Sequence, residues 1–419
     1  MTQRYDTYKD SGMQWLGEIP GHWGCVSLRK FLRIFSEKNC GDKQLLSVTR
    51  EQGVVVRDIS SKEDNHNFIP NDLSGYKHVQ IGNFVINKMK SWQGSYGVSN
   101  YGGIVSPAYY TCKLEGINKT FFNLAIRSKI YVSFFGRYSK GIRVDQWDLS
   151  PVALKSIPFA VPPLSEQRSI VSYLDAKCGM IDEWVTKKQK EVEHLQELKQ
   201  RVIADAVTRG LNPHVKMKET GVFWWKETPE HWQKIRLGFI LQKMNRQRLP
   251  NSELLVCTNK GKVIKRGDAK IGLIADSEEI YQGVAKGDLL IHGMDTWHGA
   301  IAVSNFNGMC TPVVHVCTSN ENLYFVAYYM QVMAYSKVFK LISNGVRQNT
   351  SDFRSWFKVD KIPIMLPSKH EQDSIVSYLD DKCAKIDKLI ANITKEIECI
   401  KEYKQRLISD VVTGQIKVC

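Results

Sequence analysis

The sequence predicts an α+β protein: two similar mixed α/β blocks separated by two long antiparallel helices that form a coiled coil, with a pseudo-twofold internal repeat. Three observations predict it. The 17 residues EQRSIVSYLDAKCGMID at 166–182 recur as EQDSIVSYLDDKCAKID at 371–387, identical at thirteen positions and 205 residues apart. The match continues without insertion or deletion to KQRVIADAVT (199–208) against KQRLISDVVT (404–413). An unbroken register of that length belongs to a helix, because one added residue rotates everything beyond it by about 100°. Finally, the apolar residues of both copies recur every three or four positions, as a coiled-coil seam requires.

The repeat divides the chain into a lead-in (1–19), a first block (20–160), a first long helix (161–211), a connector repeating the lead-in (212–228), a second block (229–366), and a second long helix with a C-terminal tail (367–419). In the lead-in, Trp15, Glu18, Pro20, His22 and Trp23 return as Trp224, Glu227, Pro229, His231 and Trp232, at an offset of 209. No third lead-in follows the second helix. That asymmetry is resolved if the first helix leaves block one for block two, the second returns, and the termini lie near each other.

Each block consists of short apolar and aromatic runs broken by Gly, Asn and Ser: VVVRDI, FVINKM, GIVSPAYYTCKL and KIYVSFF in the first, ELLVCTN, DLLIHGM, PVVHVCTS and LYFVAYYM in the second. These read mainly as strands, with helices expected over 121–132 and 323–342. Residues 82–112 align on 287–317 with eleven of 31 positions identical, including Trp92 with Trp297 and Gly94 with Gly299. Residues identical in both blocks cannot distinguish two different ligands, so these four are assigned to core and turn geometry.

The first helix carries its seam on Val171, Leu174, Cys178, Ile181, Val185, Val192, Leu195, Val202 and Ala206. The second uses Val376, Leu379, Cys383, Ile386, Ile390, Ile393, Ile397, Ile400, Leu407 and Val411. Lysines interrupt it at Lys188, Lys199 and Lys404, and such polar interruptions favour one register. Pro162, Pro163 and Ser165 mark the start of the first helix, and Ser368 with Glu371 has capping-box spacing at the second. Gly210 and Gly414 stand as C-terminal caps. Each helix is expected to run about 45 residues, roughly 65 Å.

Ten cysteines show no CxxC pair and no Cys/His spacing suited to zinc, so they read as reduced thiols of a cytoplasmic protein. The N-terminus has no apolar signal core, and no uncharged run of 18 apolar residues occurs. The net charge of +15 is located: residues 20–160 carry +9 and residues 229–366 carry +6, leaving the helices and connectors neutral in sum. Two basic blocks held apart by neutral rods suit a duplex, which presents a negative charge every ~1.7 Å along its axis.

This layout, with IPFAVPPLSEQ and IPIMLPSKHEQ leading into the long helices and paired GEIPGHW and KETPEHW segments, resembles the specificity subunit of Type I restriction-modification systems over essentially the whole chain. The resemblance implies two target-recognition domains, each reading half of a bipartite sequence in double-stranded DNA, with the helices fixing the unread spacer. It implies docking of two DNA adenine methyltransferase subunits, with restriction/motor subunits completing the enzyme. S-adenosylmethionine and ATP are then used by those partners, and none is bound by this chain.

The residues themselves agree with a non-catalytic role. There is no Asn/Asp-Pro-Pro-aromatic signature of an amino-methyltransferase, and Asn212-Pro213-His214 reads as a helix exit. GxxxxGK[ST], HExxH and GxSxG are absent. No catalytic residue and no metal ligand is assigned. The repeated His-Trp pairs read as packing anchors with a hydrogen-bonded imidazole. An autonomous DNA-modifying or DNA-cleaving enzyme with an unrecognised site, and a coiled-coil scaffold without a DNA role, remain as rival readings.

Discrimination should reside where the blocks differ. The candidate regions are 50–67 with Lys88 and Lys90 in block one, and 243–248 with 259–270 in block two. Arginine can contact guanine bidentately, and lysine commonly takes phosphate. The candidates are Arg50, Arg57, Lys62, Lys88 and Lys90, then Arg246, Arg248, Lys262, Lys265 and Arg266; for any one of them a solvated basic loop is an equal alternative. Arg143 and Arg347, shared by the two copies, suit phosphate contact or a structural ion pair equally well. The helix faces at 187–193 and 395–402 read either as solvated surface or as docking sites.

Overall fold

The computed structural model describes residues 3–58, 69–70, 72–139, 147–247, 252–267, 280–343 and 353–418. It divides into one unit of residues 1–188 and 395–419 and another of residues 189–394. The first long helix, Leu164–Arg209, has 46 residues and the second, Lys369–Val412, has 44. Each unit therefore contains a globular block with the beginning of one long helix and the end of the other.

Within unit one, Ile170 and Leu174 near the start of the first helix share a core with Leu407, Val411 and Val412 near the end of the second. Within unit two, Ile203, Ala206 and Val207 share a core with Ile375, Val376 and Leu379. Residue numbers rise on one helix as they fall on the other, so the pairing is antiparallel in both units. Leu174, Val376, Leu379, Cys383 and Ile386 are each buried, while Val171, Cys178 and Ile181 are half-buried. The seam lysines have partners. In unit one, Lys404 Nζ donates to both carboxylate oxygens of Asp182, at 2.6 and 2.7 Å. In unit two, Lys199 makes the same pair with Asp387, at 2.6 and 2.8 Å. Both aspartates are the last residue of the repeated 17, so the duplication has kept a polar bond that fixes helix register.

The Glu-Gln pair at each helix start does different work with its two side chains. In unit one, Glu166 accepts hydrogen bonds from Tyr5 (2.5 Å) and Trp23 Nε1 (3.0 Å), with His22 Nε2 at 2.7 Å. In unit two, Glu371 has Trp232 Nε1 at 3.1 Å and His231 Nε2 at 2.8 Å. Gln167 donates to the carbonyl of Pro162 (2.9 Å) and accepts from the backbone N–H of Asn118 (2.8 Å). Gln372 does the same with Pro367 and Asn322, both at 2.9 Å. Asn118 and Asn322 are in turn the N-caps of Lys119–Ile126 and Leu323–Tyr335. One dipeptide thus joins the lead-in, the long helix and the block's own helix. Gly414 (φ 77°) ends the second helix against Pro20 and Trp23, and Gly210 (φ 75°) ends the first against Trp232 and Glu371.

The central sheets have the same order. Unit one aligns Leu32–Phe35, Tyr109–Leu114, Phe84–Asn87 and Tyr96–Val98, all antiparallel. Unit two aligns Gln242–Met244, Val314–Thr318, Leu289–His292 and Ile301–Val303 likewise. Phe84–Asn87 and Leu289–His292 are buried at every position, which explains their continuous apolar sequence. Each unit adds a hairpin: Leu46–Thr49 with Gly53–Val56, and Leu255–Thr258 with Lys262–Lys265. The turn assignments for Gly94 and Gly299 stand on their left-handed backbone (φ 91° and 80°), each ending a short 3-10 turn.

Some expectations need correction. KIYVSFF is not a strand but the start of the helix Lys129–Tyr138, whose face of Tyr131, Phe134 and Phe135 is buried; an aromatic run this short has no distinguishing period. The helix expected over 121–132 breaks at Arg127-Ser128, and that over 323–342 breaks at Lys337, whose φ is 60°. Ser165 lies inside the first turn of its helix. The capping box at Ser368 is half formed: its Oγ accepts from Glu371 N at 3.4 Å, but the Glu371 side chain is held by the His-Trp pair instead. Nine described cysteines are free thiols, and burial pushes Cys112, Cys257, Cys310 and Cys317 up to about 12. Among the described residues, no helix is long and apolar enough to cross a membrane.

Removing the buried Glu166 carboxylate leaves the Tyr5, His22 and Trp23 donors without their acceptor, so E166A is expected to destabilise unit one by about 3 kcal/mol. E371A costs unit two less, since that carboxylate has two of these donors and is more exposed (26% against 7%). Urea unfolding followed by hydrogen exchange in each unit checks both.

A second prediction concerns pH. Burial holds His292 and His315 below the ordinary histidine value, and Nδ1 of His292 accepts from Asp295 N at 3.1 Å. Their counterparts 205 residues earlier are Asn87 and Tyr110. As pH falls from about 7 to about 5, the unfolded chain takes up protons that the folded unit resists, so unit two loses stability over that window. H292N, which installs the residue of unit one, should flatten part of this slope in urea titrations at the two pH values.

Candidate nucleic-acid interface

The two hairpins bring candidate residues of both blocks onto equivalent elements. The backbone N–H of Arg57 donates to Leu45 O, and that of Arg266 to Leu254 O, both at 2.9 Å and at the same strand end. The offset here is 209, so Arg57 and Arg266 occupy one position of the repeat. This was hidden in the sequence because the block alignment was anchored at offset 205. Leu45, Leu46 and Thr49 against Leu254, Leu255 and Thr258 carried the signal. A residue common to both blocks suits a contact that does not discriminate, such as phosphate.

Around this shared arginine the hairpins differ. The turn of unit one holds Arg50, which pairs with Glu51 at 2.8 Å. The turn and second strand of unit two present Lys260, Lys262 and Lys265. Lys262 is exposed. Lys265 pairs with Glu253 at 2.5 Å and lies 5.5 Å from the Phe306 ring centroid. These exposed pairs contribute at most ~1 kcal/mol and exchange readily for a phosphate.

Other candidates lie off the hairpins. Lys88 pairs with Asp148 at 3.2 Å, and Lys90 is exposed just before the 3-10 turn Ser91–Gln93. Arg246 donates through Nη1 to Asp288, a buried carboxylate that also accepts from Ala285 N at 2.7 Å. A guanidinium fork committed to a buried acid is poorly placed for a bidentate base contact, so Arg246 reads as structural support. Lys62, Arg143, Arg248 and Arg347 lie outside the described residues, as do 59–67 and 268–270 of the candidate regions.

The fold also brings together a group that sequence spacing did not show. Ligand atoms of Glu37, Cys40 and His78 lie within 4.8 Å of one another. Lys43 Nζ stands 2.9 Å from His78 Nε2, and an ammonium only donates, so Nε2 accepts and the imidazole proton sits on Nδ1. Nδ1 itself lies 3.1 Å from Glu37 Oε2. A cation on Nδ1 would displace that proton and turn Nε2–H towards the ammonium, so the Lys43 contact disfavours a metal ion here. Interaction with His78 holds the Glu37 carboxyl below its ordinary value.

Comparison with known proteins follows the same division. Residues 229–399 match the model of the Type I restriction modification DNA specificity domain. A protein of Methanocaldococcus jannaschii assigned as the type I restriction enzyme MjaX specificity subunit is 24% identical, over 96% of this chain and 96% of its own. The type I restriction enzyme MjaVIII specificity subunit of the same organism is also 24% identical, over 96% and 94%. Among solved structures, a chain from work on complex assembly and conformational transition of the type I R-M system aligns over 94% of this chain and 98% of its own, with a TM-score of 0.66 and 14% identity. The HsdS subunit from Thermoanaerobacter tengcongensis aligns over 95% and 98%, with a TM-score of 0.50 and 16% identity. The structural matches are likenesses of fold; the sequence matches run the length of the chain, and the specificity-domain model falls on the second copy of a repeat whose first copy has the same strand order and the same clamped helix start. Over residues 229–399 the chain carries the Type I restriction modification DNA specificity domain, and along its length it is similar to type I restriction-modification specificity subunits.

Proposed function

We propose that each unit reads one half of a bipartite target in double-stranded DNA and that the long helices set the unread gap and dock two adenine methyltransferase subunits. The observation that carries this reading is the pairing of like with unlike. Sheet order, helix clamps and Arg57/Arg266 repeat, whereas the hairpin side chains around them do not. Two equal scaffolds with unequal surfaces suit two half-sites of different sequence on one duplex. The globular blocks also carry the whole net positive charge, which supports a polyanionic ligand. Arg57 and Arg266 take phosphate, while Arg50, Lys88 and Lys90 in unit one and Lys262 and Lys265 in unit two are available to bases or flanking phosphates.

The chain itself supplies recognition and not chemistry. S-adenosylmethionine belongs to the methyltransferase partners and ATP to the restriction/motor subunits, all working in the cytoplasm where the DNA is. On the helix faces at 187–193 and 395–402, the exposed Lys187, Lys190 and Glu193 and the exposed Lys395, Glu396 and Glu402 lie off the seam and are offered to these partners.

Mapping N6-methyladenine in the source genome is expected to return a motif with two specified parts and a fixed gap, and the purified chain alone should transfer no methyl group. Inserting four residues into each long helix lengthens it by ~6 Å. The gap should then widen by about one or two base pairs of ~3.4 Å. An unchanged gap would remove the helices as its measure.

A further inference from the structure

In each unit a polar side chain from the helix packed on the sheet ties the hairpin turn to that sheet. In unit one it is Arg127, at the C-cap of Lys119–Ile126. Its Nη1 donates to the carbonyl of Tyr96, and its Nη2 to the turn carbonyls of Arg50 (3.1 Å) and Glu51 (2.8 Å). In unit two it is Gln331, buried within Leu323–Tyr335. Its Nε2 donates to the carbonyl of Ile301 at 2.6 Å and reaches the turn carbonyl of Gly261 at 3.5 Å.

Tyr96 and Ile301 are the same position of the repeat, 205 residues apart. Arg127 and Gln331 are also one position of the repeat, 204 residues apart like the N-caps Asn118 and Asn322 of the helices that carry them. The two units therefore grip the same sheet carbonyl and the same turn from one site with different residues. Each turn also presents a glycine to its tether. A Cβ on Gly53 (φ 76°) would stand 3.0 Å from Arg127 Nη1, and one on Gly261 (φ 65°) would collide with Gln331 Nε2. A buried glutamine among Met330 and Val332 is costly unless its hydrogen bonds are made, so its presence points to the bond it makes.

We propose that Arg127 and Gln331 are the positioning residues of the two recognition hairpins, each fixing the turn that its unit presents to DNA and so setting how sharply that unit discriminates its own half-site. The proposal rests on the reading that the hairpins face DNA. Holding a recognition element in one geometry raises specificity by removing the alternative poses that would accommodate a wrong base. Arg127 grips two turn carbonyls and Gln331 one, so unit one should be the more sensitive.

The test replaces the chromosomal allele with R127M, R127K or Q331L, keeping the full chain and its partners, and maps N6-methyladenine across the genome. R127M is expected to raise methylation about tenfold at sites with one mismatched base pair, always in the same half of the motif, and Q331L in the other half. R127K, which keeps a donor for Tyr96 O but loses the fork, should fall between wild type and R127M. Relaxation of both halves together, of neither half, or loss of all methylation in R127K as in R127M would each overturn the proposal; the last would assign Arg127 to folding alone. A wild-type genome without any bipartite methylated-adenine motif would instead overturn the functional reading beneath it.

Discussion

A carboxylate at the first turn of each long helix, buried in unit one and half-buried in unit two, governs how this chain is assembled. Glu166 and Glu371 each take the indole N–H of a tryptophan that is itself fully buried, Trp23 and Trp232. An acid there is favourable to the helix N-terminus, whose unpaired N–H groups carry partial positive charge. It is tolerable in the core only because its oxygens are bonded. The adjacent glutamine extends the same node to the block's own helix through the N-cap asparagine. Three segments distant in sequence are thereby held by two neighbouring residues, which explains why Glu-Gln survives in both copies while the residue after it differs, Arg168 in one and Asp373 in the other.

The clamp and the seam lysines divide the task between them. The clamp fixes where a helix begins relative to its block, and the Lys404–Asp182 and Lys199–Asp387 pairs fix which residues of the two helices lie opposite each other within each unit. An apolar seam alone would tolerate a slide of one heptad at modest cost. An ammonium meeting a carboxylate at one level does not, because the slide would leave both beside apolar neighbours. These pairs are partly exposed and add little stability, so register is their main consequence.

Much of this was legible in the sequence where a period or a repeat exposed it. The helix lengths, the seam and the left-handed glycines followed from spacing and from the identity of two copies. The partners of Lys199 and Lys404 did not, since each aspartate lies about two hundred residues away and nothing local links them. Short aromatic runs were ambiguous for a different reason: KIYVSFF satisfies strand propensity, and only burial of Tyr131 and Phe135 against the sheet makes it a helix. The candidate arginines were the least legible. Exposure, the Asp288 partner of Arg246 and the equivalence of Arg57 with Arg266 all depend on which strands pair.

The drift in repeat offset shows what the scaffold permits. It is 209 from the lead-in through Arg57 and Arg266, 205 from the strands Lys77–Val79 and Gln282–Val284 to Cys112 and Cys317, 204 at the helix N-caps Asn118 and Asn322, and 205 again from Ile157 and Ile362 onward. Unit one therefore carries four more residues than unit two between the end of its hairpin and the next strand. The clamp, the sheet register and the helix seam absorb none of that difference: Tyr109–Leu114 and Val314–Thr318 pair with their neighbours in the same order on both sides of it. A four-residue change beside the hairpin, in a frame whose strand order stays the same, is what independent adjustment of one reading surface requires. The same node that makes the two halves alike is what leaves their faces free to differ.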